Sequence, residues 1–106
     1  YAYTIELEKR GPNAGERLFK HDLYKGTTIA RHLGDKKHPG EFVFVPRHSQ
    51  AAEDEGWLIG LVIDANSDQT ALFIINADDF EGKPQAIIKL PHRIPPGFHG
   101  NWVAAA

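Results

Sequence analysis

The chain contains no cysteine. That absence excludes disulfides, thiolate metal sites and cysteine nucleophiles, leaves His, Asp and Glu as the candidate ligands, and is compatible with the cytosol. Methionine is missing too, and the beginning, Tyr1-Ala2-Tyr3, shows neither an initiating methionine nor a signal peptide, so a cut start is expected. No apolar run approaches the ~20 residues that a bilayer-spanning helix requires. Charge of one sign is not in excess: the formal net charge is −2, which gives no reason to expect nucleic acid as a partner. A nucleophile elbow, a phosphate-cradling glycine loop and zinc-ligand spacing are all absent.

What remains is an ordinary globular composition. With 42% hydrophobic and 25% charged residues over 106 positions, one domain with a modest core is feasible. No long stretch keeps a 3.6-residue period, whereas short runs with β-branched or aromatic content recur between Gly, Pro, Asn and Asp punctuation. The chain therefore reads as all-β. Candidate strands cover 1–8, 17–23, 27–33, 41–46, 57–64, 70–76, 85–90 and 99–103. Segments 11–15, 35–40 and 66–68 read as connections, because they carry turn residues and side chains that hydrogen-bond their own backbone.

An internal echo refines this picture. Leu18-Phe19-Lys20-His21-Asp22, Gly26, Ala30 and Leu33 are matched by Leu72-Phe73-Ile74-Ile75-Asn76, Gly82, Ala86 and Leu90. Each copy reads strand, polar turn, glycine, strand, leucine, as the outer hairpin of a four-stranded propeller blade would; a chance echo of two hairpins is the plainer alternative. On the propeller reading, 1–33 supplies the outer three strands of one blade, 41–90 a full blade and 99–103 the first strand of the closing blade. Glu41 and His99 then begin neighbouring inner strands, and both face the propeller axis.

The end of the chain is the most specific stretch. In Pro95-Pro96-Gly97-Phe98-His99-Gly100-Asn101-Trp102 the paired prolines fix φ, while the flanking glycines permit close backbone approach, so one imidazole is held with little freedom. Such a histidine suits metal coordination or proton transfer, although most lone histidines are structural. The run Arg93–Trp102 resembles the terminal motif of the carotenoid cleavage oxygenases, a family that includes stilbene-cleaving dioxygenases. Pro39-Gly40-Glu41-Phe42-Val43-Phe44-Val45-Pro46-Arg47, with Ala52-Glu53-Asp54-Glu55-Gly56-Trp57, is similar to the family's other late signature, in the same order. Family members are several times longer, so the resemblance implies a C-terminal fragment.

The resemblance carries further expectations. It implies an antiparallel β-propeller portion, about two blades of seven, in an enzyme that uses Fe(II) and dioxygen to cleave a carbon–carbon double bond in a carotenoid, apocarotenoid or stilbene-like substrate. The family's iron is held by four histidines, with three glutamates behind them. Carried over, His99 is the fourth ligand and Glu41 the glutamate that accepts the other N–H of that imidazole, an arrangement that fixes tautomer and raises basicity. The remaining ligands would lie upstream of residue 1. The expected partner is an apolar small molecule, and its lipid solubility gives a reason to expect peripheral membrane contact by the full-length, otherwise cytoplasmic protein. The other reading is a non-catalytic β-sheet interaction module with exposed sheet edges.

Other candidates have simpler explanations. Glu41 without the motif would be a strand-edge charge in solvent. Glu53-Asp54-Glu55 reads as a solvated turn, because adjacent residues on extended backbone alternate sides and do not converge on one ion. His21 and His32 sit in candidate outer strands, and His38, His48 and His92 beside turns. Asp78-Asp79 fits hairpin geometry. Phe44, Trp57 and Trp102 read as core, while Phe98 either lines the substrate cavity or braces the His99 backbone.

Overall fold

The computed structural model describes residues 1–6 and 16–91. His92, Phe98, His99, Trp102, the diproline and the candidate strand 99–103 lie outside the described residues. Those described form seven strands: β1 Ala2–Ile5, β2 Arg17–Asp22, β3 Thr27–His32, β4 Lys37–Pro46, β5 Gly56–Asp64, β6 Gln69–Asn76 and β7 Ala86–Lys89, with a single 3-10 turn at Ala77–Asp79. They make two antiparallel sheets in plain chain order, β1-β2-β3 and β4-β5-β6-β7. The two echoed segments are the β2–β3 and β6–β7 hairpins, each at the outer end of its sheet.

The sheets pack face to face. Alternation along β5 buries Gly56, Leu58, Gly60 and Val62, while Trp57, Ile59, Leu61 and Ile63 on the opposite face are half-buried. Leu58, Val62, Phe73 and Ile75 of the larger sheet close on Leu18 and Leu33 of the smaller one, with Tyr3 and Ile5 packed at the margin. Tyr3 stacks on Phe44 across the interface, ring centroids 5.9 Å apart and nearly parallel. Both faces of β5 are apolar, the composition of a strand meant to be covered on two sides.

Polar clasps cross the same interface. Lys20, buried in β2, donates to the Asp54 carboxylate at 3.0 Å and to the Ala77 carbonyl at 2.7 Å. Arg31 donates to the carbonyls of Phe80, at 2.9 Å, and Gly82. Two cations of one sheet thus satisfy carbonyls in the β6–β7 connection of the other, which fixes the orientation of the packed faces.

Strand β4 departs from the expected connection at 35–40. It begins at Lys37, so Lys37 to Gly40 and His38 are strand, not turn. Pro39 is tolerated because β4 is an edge strand, where a missing N–H leaves no gap in a ladder. Pro39 pairs with Val62 and Phe42 with Gly60, so Gly40 and Glu41 together oppose Leu61 in a β-bulge. The bulge resets the alternation and returns Phe42 to the buried face. There its ring lies over Gly60, where an added Cβ would fall 2.5 Å from ring carbons. Gly60→Ala is therefore expected to destabilise by about 1–3 kcal/mol, as overpacked cores do. Chemical denaturation would check this, and an unchanged midpoint would contradict the close approach.

Candidate functional site

Glu41 is the one site residue of the sequence reading that falls within the described residues, apart from those assigned to core or turns. It occupies the second position of the β4 bulge and is exposed, on the edge strand at the end of the larger sheet opposite the β6–β7 hairpin. Bulges re-aim side chains beside active sites, and this one turns a carboxylate out of a strand whose neighbours Phe42 and Val45 are buried.

The backbone that delivers β4 to its bulge is fixed by a second carboxylate, which sequence reasoning missed. Glu16 is only 2% exposed. Its side chain accepts from the backbone N–H of Lys36 and lies 2.7 Å from Nε2 of His32. Its own carbonyl accepts from Leu33 N–H at 3.0 Å, and its N–H donates to Glu6 at 3.3 Å. Burial alone would push this carboxyl up, but the Lys36 N–H, the His32 ring and the charge of His38 outweigh it and hold Glu16 below the usual range.

The remaining candidates disperse. Asp54 pairs with Lys20 and Glu55 with His48, so these neighbouring carboxylates serve separate partners. His21 lies between the hydroxyls of Thr4 and Thr28, at 2.7 and 3.0 Å. Asp78 takes a bidentate pair from Arg47, whose guanidinium also lies 5.3 Å from the Trp57 ring centroid. Among the described residues no three His, Cys, Asp or Glu side chains group around a metal position. Glu41 belongs to no such group among the described residues.

These carboxylates set the response to acid. Arg47 holds Asp78 below its ordinary value, Lys25 N–H does so for Asp22, and Ala52 N–H with His48 does so for Glu55. A depressed folded-state value means that ionisation favours the fold above the ordinary carboxylate range, and that this stabilisation disappears as pH falls through it. Thermal melts are expected to be level from neutrality to about pH 5 and to fall below about pH 4. A decline beginning near neutrality would contradict this account.

The family model described as Retinal pigment epithelial membrane protein matches residues 1–104. The apocarotenoid-15,15'-oxygenase of Synechocystis is 38% identical over 87 residues, 82% of this chain and 18% of that protein. Its cobalt-substituted crystal structure superposes with a TM-score of 0.79 at 37% identity, over 85% of this chain and 19% of that one. The lignostilbene dioxygenase of Pseudomonas brassicacearum superposes equally well, TM-score 0.79, at 27% identity with the same coverage. The chain thus spans about a fifth of the length of these relatives.

Proposed function

The chain belongs to the retinal pigment epithelial membrane protein and carotenoid oxygenase family, and from that premise we propose that the full-length protein is a non-haem iron(II) dioxygenase cleaving a carbon–carbon double bond in a carotenoid, apocarotenoid or stilbene-like substrate. The observation that carries the reading is the β4 bulge, which exposes Glu41 within the segment that matches the family. His99 would bind the metal through one ring nitrogen, and Glu41 would accept the N–H of the other, fixing the tautomer that leaves a lone pair for the ion. The iron, when bound, supplies the activation of dioxygen. Phe98 would present an apolar edge to the substrate beside that imidazole.

The metal in a solved relative is consistent with this assignment, since cobalt(II) and iron(II) both accept imidazole donors. We assign 1–33 to the outer three strands of one blade, 41–90 to a full blade and 99–103 to the start of the closing blade. The protein would be cytoplasmic, with peripheral membrane contact where it collects its lipid-soluble substrate. On this assignment the other three histidine ligands lie outside this chain, which by itself is not expected to catalyse.

The test is oxygen-dependent cleavage of an apocarotenoid and a stilbene by the full-length protein, with iron quantified in the same preparation. Cleavage that tracks iron content supports the reading. Protein that retains no iron and turns over neither substrate after incubation with iron(II) would overturn it.

A further inference from the structure

We propose that Glu16 is a positioning residue for Glu41: its buried carboxylate locks the connection between the two sheets and so sets where β4 enters its bulge. This rests on the role given to Glu41 above. A carboxylate is seldom taken wholly out of water unless its oxygens are matched by donors, and both oxygens of Glu16 are used, one by His32 and the other by Lys36 N–H. Neither contact belongs to a regular ladder. Each ties the start of β2 to chain that leads into β4.

Lys36 is where the two sheets are joined. Its φ is +55°, a left-handed conformation that a non-glycine residue keeps only when its surroundings over-determine it. Those surroundings come from both sides: the N–H goes to Glu16 beside the smaller sheet, and the carbonyl accepts from Ala65 N–H, in the β5–β6 turn of the larger one, at 2.9 Å. From here the ladder Lys37↔Asp64, His38↔Ile63 and Pro39↔Val62 runs as a short paired segment straight into Gly40-Glu41. A bulge is the weakest step of a ladder, so a displacement at Lys36 is transmitted by the paired segment and absorbed at Glu41.

The charges around Glu16 are consistent with a lock. Glu6, from the end of β1, is neutralised by Arg17, and His32 of β3 and His38 of β4 bring positive charge when protonated. An apolar side chain of similar volume would fill the space and leave the Lys36 N–H without its acceptor. A buried ionic group retained at such a junction selects one geometry more than it adds stability.

The experiment is a double-mutant cycle in the iron-loaded full-length protein with Glu16→Ala, Glu41→Gln and the pair, reading kcat, KM, iron content and amide exchange across 33–41. Glu16→Ala is expected to lower kcat about tenfold, the lower end for residues that orient metal ligands. KM should stay within about twofold, and amide exchange across 33–41 should quicken. In the Glu41→Gln background the same change should cost less than about twofold, because the two act in series. Glu16→Gln should recover part of the loss, since its amide oxygen still accepts from Lys36.

Unchanged kcat in Glu16→Ala, or losses that multiply in the double variant, would overturn the proposal while leaving Glu41's role standing. Normal iron and turnover in Glu41→Gln alone would instead sink that role, and the proposal with it. Should Glu16→Ala not fold, His32→Ala removes the half-exposed partner and reads the same cycle with a smaller effect of the same sign.

Discussion

Full-length protein carrying His99→Ala is expected to lose its iron and at least about a hundredfold in cleavage, and Glu41→Gln to lose roughly ten- to a hundredfold. The ordering follows from what each side chain does. An imidazole ligand donates a lone pair directly to the ion, whereas the glutamate acts on the ion only by orienting and polarising that imidazole, for which ten- to a hundredfold is the usual range. Gln keeps the size of Glu41 and one acceptor oxygen but discards the charge, so part of the function should survive. Metal analysis of purified variants separates the two contributions: His99→Ala should be iron-poor even after reconstitution, and Glu41→Gln should reload with weaker retention. Iron and turnover retained in both would reduce His99 and Glu41 to structural residues.

That Glu41 could be named from sequence, and Glu16 could not, has a physical cause. Glu41 stands in a local pattern, Pro39-Gly40-Glu41 before an alternating apolar strand, and the information that places it is carried by adjacent residues. Its bulge stayed hidden for the same reason, because Pro-Gly is also the signature of a turn and only pairing with Val62 and Gly60 decides between the two. Glu16 has no local signature. Its burial is made by His32 and Lys36, 16 and 20 residues further on, and by packing between sheets. A lone acidic residue before a strand looks like a solvated charge until those partners are in place.

Most strands were legible because runs with β-branched or aromatic content stand between Gly, Pro, Asn and Asp punctuation, and β5 because it is apolar on both faces from Gly56 to Ile63. Starts moved by one residue at Gly56 and Gln69, where hydrogen bonding outlasts side-chain pattern, and by four at Lys37, where β4 runs on through Pro39 and Gly40. The cation clasps were not legible: Lys20 and Arg31 occupy strand positions that sequence would turn to solvent, yet their heads reach carbonyls near Phe80. Such contacts depend on how two sheets are stacked, which no window along the chain encodes.

The echo between Leu18 and Leu72 leads to the second large effect. Leu18 pairs with Ile5 on one side and Arg31 on the other, is fully buried, and lies beneath the larger sheet. Leu72 holds the corresponding place one sheet on, between Leu61 and Ile88. Its neighbour Phe73 faces the smaller sheet and is buried, so alternation turns Leu72 to the opposite face, beside half-buried Ile59, Leu61 and Ile74. If blades succeed one another by rotation, the next blade covers Leu72 as the larger sheet covers Leu18.

Leu18→Ala should then destabilise the full-length protein by about 2–5 kcal/mol, the cost of a buried leucine and the cavity it leaves, and Leu72→Ala by a similar amount. In the 106-residue chain by itself the two should part, with Leu18→Ala severe and Leu72→Ala costing less than about 1.5 kcal/mol because its methyl groups are already partly in water. Denaturant midpoints of both variants in both contexts measure the difference. A mild Leu72→Ala in the full-length protein would mean that this face stays open, and the succession of blades proposed for 41–90 and 99–103 would fail, since a propeller leaves no interior sheet face uncovered.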